Sequence, residues 1–331
     1  MTRARLFFVA LTCASYARCS SPESPMPTRA PPVSSPTPSP PTAFSAFTTL
    51  TGGSVMAFPP GDRLVALHAR SATWWEGDAA VTALLPGLAV DGARWSADGR
   101  LWVGLGALDL AARAWTPAPA LQIWNQRQKP VSAAAGMTDD RVALVLGPPP
   151  QLVDRPTVKR TLELVIAARD GKPRTRLALE PGMPPALAAS ADRVLIGGAD
   201  TRLVDLDGNP VAGPAGLPES PSRVAFGAGV FAVTGHAGEV TLIRPSDGGV
   251  IATWQPAAPA IDAVPIDHGV LAIDRQGTVR VGCVAGAAIR ATAEARAGDH
   301  GMRIQRVGDR VVISDGSANP VRWATFTNPC R

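Results

Sequence analysis

Runs of like charge, clustered metal ligands and long apolar stretches are all missing from this chain of 331 residues. Charged residues make up 18%, below the quarter or so usual in a soluble domain. The formal net charge is +5, but Lys and Arg are scattered and never form a run. That leaves no nucleic-acid footprint, and the basic balance reads as a solubility property. The histidines His68, His236, His268 and His300 are far apart in sequence, and no Cys has a His or Cys beside it at ligand spacing, which excludes a local zinc motif. Neither a Gly-x-Ser-x-Gly elbow nor a phosphate-cradling Gly loop occurs, so no cofactor is expected.

What the chain does have is 46% apolar residues, 32 glycines and 33 prolines. That balance favours many short strands joined by tight turns, and the length allows one large all-β domain.

The first residues read as a targeting segment, residues 1–18. Arg3 and Arg5 form a positive start, Leu6 to Ala17 a short apolar stretch, and Ser15-Tyr16-Ala17 a small-x-small cleavage site. The stretch is too short to span a bilayer of roughly 30 Å as a helix. A lipoprotein signal is the alternative, with Cys19 followed by Ser20, Ser21 and Pro22 as lipidation candidate and membrane tether, although Arg18 stands where that processing wants a small residue. Residues 19–42 are rich in Ser, Pro and Thr and nearly devoid of large apolar side chains. Such a segment cannot offset its chain entropy by burial and reads as a disordered tether. An extracytoplasmic location is expected, periplasmic, envelope-bound or secreted.

From residue 43 to 331 one pattern recurs, a turn with Gly or Asp followed by a short apolar strand. These strands begin at Arg63, Arg100, Arg141, Arg193, Gly229, Gly269 and Arg310, so the intervals are 37, 41, 52, 36, 40 and 41 residues. A four-stranded propeller blade repeats at about 40 to 45 residues. The longest interval holds Pro148 to Pro150 and Pro156, which marks an inserted loop within 146–160. Further strands follow each repeat, joined by Leu206-Asp207-Gly208-Asn209 and Ser246-Asp247-Gly248-Gly249, strong hairpin signals because Gly reaches positive φ. The seventh repeat ends one strand short. A spare strand upstream, Ala43 to Leu50, is expected to complete it and close the ring, leaving only short, protected edges. The expected fold is therefore an all-β, seven-bladed β-propeller closed by its N-terminal strand.

Over Ala43 to Cys330 this pattern resembles the bacterial β-propeller superfamily that includes WD-repeat and pyrroloquinoline-quinone-type repeat proteins. The sequence departs from both signatures. Gly235-His236 occurs once, no Trp-Asp pair exists, and neither repeated Trp docking motifs nor a vicinal Cys pair is present. The resemblance implies fold rather than activity.

Cys283 and Cys330 form an even pair in a chain read as exported, which suggests a disulfide near the ring's seam. The alternative is Cys283 packed as a small apolar residue beside a frayed Cys330. His68, Asp200, His236, Asp274 and Asp315 follow second strands in five repeats, so their turns open on one face. They are candidates for an acid, base or metal site at a central funnel, but the better reading is ordinary turn chemistry, since Asp and His near Gly are common turn residues. Asp267-His268-Gly269 and Asp299-His300-Gly301 look alike but fall in a hairpin and an inter-blade link, on opposite rims. Trp74 and Trp75 are adjacent, so in a strand they point to opposite faces, and one ring could stack on a sugar or anchor a partner, although packing of both through a local twist or bulge is the better reading. Trp95, Trp102, Trp115, Trp124, Trp254 and Trp323 read as core fillers.

The leading functional reading is a monomeric, non-enzymatic scaffold that binds a protein or small ligand on one rim. A lactonase- or esterase-type propeller hydrolase and a glycan-binding module are the competing classes.

Overall fold

The computed structural model describes residues 43–50, 55–57, 65–67, 71–76, 79–85, 94–95, 100–103, 105–124, 131–138, 140–147, 161–180, 186–198, 201–211, 221–300, 303–307, 309–314 and 321–330. Among them the strands gather into seven successive antiparallel groups, the fifth and sixth joined into one sheet by a parallel bridge between Thr253 and Ala288. After β1 (Thr48–Leu50), the first group is β2 (Val55–Ala57), β3 (Val65–Leu67), β4 (Ser71–Glu76) and β5 (Ala79–Leu84). The second is β6 (Arg94–Trp95), β7 (Leu101–Val103), β8 (Gly106–Asp109) and β9 (Ala114–Pro117), followed by a short helix, α1 (Pro119–Gln122). The third is β10 (Val131–Thr138), β11 (Arg141–Leu146), β12 (Leu162–Ala168) and β13 (Pro173–Leu179), and the fourth is β14 (Ala186–Ala189), β15 (Arg193–Gly197) and β16 (Arg202–Asp205). The fifth is β17 (Arg223–Gly227), β18 (Val230–Thr234), β19 (Val240–Ile243) and β20 (Val250–Trp254), and the sixth is β21 (Ala260–Ile266), β22 (Gly269–Asp274), β23 (Thr278–Ala285) and β24 (Ala288–Arg296). The last is β25 (Arg303–Val307), β26 (Arg310–Ser314) and β27 (Val321–Thr325), to which β1 adds as the fourth strand.

This is a β-propeller. First strands of neighbouring groups pack side by side, β10 with β14, β14 with β17, β17 with β21 and β21 with β25, and β2 meets β25 where the chain returns to its start. Closure runs through β1, whose Thr48, Thr49 and Leu50 lie opposite Trp323, Arg322 and Val321. Upstream of β1, Phe44 bridges Phe326, and Thr327 N–H donates to the Ala43 carbonyl at 2.9 Å.

Period-two alternation explains why second and third strands read as nearly continuous apolar runs. Each blade is a sheet with a neighbour on both faces, so both sets of alternating side chains are buried. In β11, Val142, Leu144 and Leu146 join a cluster with Leu105 and Leu121 from the preceding blade. Its Ala143 and Val145 join another with Val194 and Ile196 from the following one. β22 divides likewise, Val270 and Ala272 to one side and Leu271 and Ile273 to the other.

Two local features depart from the expected pattern. Where a strand is expected after the Leu206–Asn209 turn, the described residues hold one bridge, between Val204 and Pro210. The Pro-rich link after β9 forms α1, where Pro supplies the fixed φ of a first helical turn and Leu121 is buried. The predicted Asp-Gly turns are in place, with Gly208 at φ 81° and Gly248 at φ 71°. The proline insertion lies mostly outside the described residues.

Because first and third strands run one way and second and fourth the other, the turns divide between two rims. The hairpin rim carries the first-to-second and third-to-fourth turns. The link rim carries the second-to-third turns and the connections between blades.

Candidate functional site

Of the five funnel candidates, His68, Asp200 and Asp315 lie outside the described residues. His236 and Asp274 both sit on the link rim, in neighbouring blades, and their environments differ.

Asp274 ends β22 and is only 2% exposed. Its Oδ1 accepts the Thr278 N–H at 2.9 Å, and its Oδ2 accepts from Arg280 Nη1 at 2.5 Å. Arg280 Nε also lies 3.3 Å from Glu294 Oε2, which is largely exposed. This carboxylate is thus the structural centre of the β22–β23 turn, with both oxygens engaged. Arg280→Met should destabilise the fold by about 3 kcal/mol or more, since it leaves a buried charge uncompensated. Glu294→Gln should stay within about 0.5 kcal/mol. Urea unfolding of both variants checks this, and equal effects would show that the buried pair carries no special weight.

His236 is exposed in a tight turn closed by Gly235 N–H to the Glu239 carbonyl at 2.9 Å and Gly238 N–H to the Gly235 carbonyl at 3.1 Å. His268 holds φ at 59° in the β21–β22 turn, a left-handed position in which His is enriched. His300 is exposed in the link after β24. His268 and His300 therefore fall on opposite rims, which leaves the two Asp-His pairs without a shared site. Other turn carboxylates are engaged locally too. Asp205 is held below the usual carboxylate range, first by the Asn209 side chain and further by backbone N–H groups of Asn209 and Asp207. The Gly249 N–H, then Arg244, does the same for Asp247. Among the described residues no group of three or more His, Cys, Asp or Glu could hold a metal ion.

One residue was missed at the sequence level. Asp262, on β21, is a carboxylate inside a first strand, 5% exposed. Its Oδ1 accepts the Ala263 N–H and its Oδ2 the Ile304 N–H from β25 of the next blade, both at 3.0 Å. Burial pushes its pKa up to about 6, against the pull of Arg303, the Ile304 N–H, Arg223 and the Ala263 N–H. The available signal was the charge itself, flanked by Ile261 and Ala263 in an otherwise apolar strand.

Cys283 and Cys330 are joined as a disulfide across 47 residues. The bond ties the segment after β27 to β23 of the sixth blade, on the hairpin rim. There Asn328 Nδ2 donates to the Asp267 carbonyl at 2.9 Å. Trp74 is fully buried between the first two blades beside Val65, Leu101 and Leu108, while the Trp75 side chain lies outside the described set. Trp124 and Trp254 are buried. Trp102 and Trp323 carry Arg169 and Arg310 over their rings at 3.6 and 4.9 Å, so these faces are covered by protein cations. No described helix is long and apolar enough to cross a membrane.

No protein-family model matches the chain, and no curated protein matches it. Solved structures do resemble it. A chain of the mitotic checkpoint complex superposes with a TM-score of 0.63 at 12% identity, covering 91% of this chain and 100% of its own length. The WD40 β-propeller domain of Doa1 gives 0.59 at 12% identity over 87% of this chain and 98% of that one. BamB from Moraxella catarrhalis gives 0.51 at 16% identity over 87% and 100%. At such identities the likeness shows the β-propeller fold, shared by WD-repeat and quinone-type repeat proteins, and nothing of activity.

Proposed function

We propose that this chain is an exported or envelope-associated propeller of seven blades, residues 43–331, that serves as a binding scaffold for a protein or other ligand on one rim. Residues 1–18 act as its export signal and 19–42 as its tether. The observation that carries the non-catalytic part is Asp274. Of the two candidates among the described residues, Asp274 has both oxygens engaged by Thr278 N–H and Arg280, while His236 stands exposed in a separate turn. Catalysis needs partners within hydrogen-bond reach of a substrate, and metal ions need several ligands in fixed geometry. The solved propellers that resemble the chain supply the scaffold architecture, and the Cys283–Cys330 pairing suits an oxidising compartment.

The test is elemental analysis together with lactone and ester hydrolysis assays on the native protein and on His236→Ala. The expected result is no stoichiometric metal and no turnover. Calcium or zinc near one per chain, or turnover lost in the variant, would replace the scaffold reading with the hydrolase. Intact mass of the native protein tests export separately. The expected mature chain begins at Arg18 or Cys19, and a diacylglyceryl mass on Cys19 would select the lipoprotein form.

A further inference from the structure

Three successive blades meet at Asp262. It sits near the start of β21, on the side of the link rim. β17 packs against one flank of β21 and β25 against the other. Its two oxygens accept one N–H from its own strand and one, Ile304, from the neighbouring blade. The charged groups facing it are Arg223, which opens β17, and Arg303, which opens β25. Its own second strand contributes Asp274, held by Arg280. β18 and β19 carry no charged residue, and Glu239 lies in the turn whose Gly238 carbonyl accepts the Ala260 N–H. Arg306 of β25 is held at the opposite end of that strand by Asp267, 3.4 Å away.

We infer that Asp262 is a proton-operated joint between the fifth, sixth and seventh blades, which sets both the strength of the Asp262–Ile304 link and the charge of the link rim between Arg223 and Arg303. Ionised, the carboxylate accepts both N–H groups and supplies the counter-charge shared by the two arginines. On binding a proton, one oxygen becomes an O–H donor beside backbone donors, so the cross-blade acceptor weakens. The two guanidinium groups then lose that counter-charge, and this stretch of rim becomes more positive by one unit. A buried carboxylate that accepts a hydrogen bond from the next blade is well placed for such a device, because the low-dielectric site resists the charge while the arginines and N–H groups favour it.

The sign of the stability effect follows from linkage. A carboxyl whose folded-state pKa lies above its unfolded value binds protons more tightly when folded. Its contribution to stability is present in full below the unfolded value and is lost as pH rises through about 6.

The test uses the full chain. Carbon-detected NMR follows the Asp262 carboxyl, assigned by its absence in Asp262→Asn, and amide spectra follow Ile304, both from pH 4.5 to 7.5. The expected result is a carboxyl midpoint within about a unit of 6 and an Ile304 amide shift with the same midpoint. A carboxyl midpoint below about 4.5, or an Ile304 amide indifferent to pH across this range, would overturn the proposal. Thermal unfolding adds a second readout. Between pH 7.5 and 5 the wild type should gain roughly 2 °C in Tm relative to Asp262→Asn. The NMR titration uses wild-type protein, so it stands even if the variant folds poorly.

Discussion

Deleting residues 43–50 should abolish cooperative unfolding of the propeller, while deleting 20–40 should change its melting temperature by no more than about 2 °C. The segment supplies the outer strand of the last blade, pairing Thr48 to Leu50 with Val321 to Trp323. Just upstream, Ser45 N–H donates to the Thr325 carbonyl, Thr325 N–H donates to Ser45 Oγ, and Thr327 N–H donates to the Ala43 carbonyl, each at 2.9 Å. Phe44 is 8% exposed, with its ring 5.3 Å from Phe326 and 6.1 Å from Phe47. It belongs to the same cluster as Ile266, Leu271, Val311 and Ile313, between the sixth and seventh blades. Truncating one buried Phe costs about 3–5 kcal/mol, already a large part of the 5–15 kcal/mol that separates folded from unfolded domains. Removing the whole strand also leaves β27 as an unpaired edge. Calorimetry on the two deletions decides the matter, and equal tolerance of both would refute closure by this segment.

The second large effect concerns the disulfide. Cys330→Ala should lower stability by about 4 kcal/mol and Tm by roughly 8 °C, the scale set by releasing a covalent loop of this size in the unfolded chain. The closed loop runs across 47 residues and contains the whole of the last blade's own strands, β25 to β27. The bond also holds the segment that carries Thr327 and Asn328, whose hydrogen bonds reach Ala43 on one side and Asp267 on the other. Losing it weakens closure as well as the sixth blade's hold on the seventh. The measurement is thermal unfolding with and without a dithiol reductant. Wild type should fall to the variant's Tm on reduction, and the variant should not respond. A wild-type Tm indifferent to reductant, with both thiols open to labelling, would show that the pair is not bonded.

Much of this architecture was legible because it rests on local rules. Strands such as Arg193–Gly197 and Arg310–Ser314 coincide with the expected ones, since an apolar run bounded by Gly or Asp turns admits few other conformations. The turns at Gly208 and Gly248 follow from the same chemistry, and so does the spare strand at the N-terminus, because a blade left one strand short exposes an edge that the chain must cover. The helix α1 escaped notice, because it depends on how a Pro-rich segment is received by its neighbours, and composition does not report that.

The sequence by itself determined the repeat, the strand periodicity, the ring's closure and the even cysteine pair, since all of these lie in spacing along the chain. Only the tertiary structure decided which polar groups are engaged. Asp274 looked like His236, a polar residue after a second strand, yet it is buried against Arg280 while His236 is exposed. Asp262 looked like an interruption in an apolar strand, yet its partner N–H belongs to Ile304, a blade further on. Whether a carboxylate is a base, a turn clasp or a joint between blades depends on the dielectric and the donors around it. In a propeller those are supplied by a neighbouring sheet about 40 residues away along the chain.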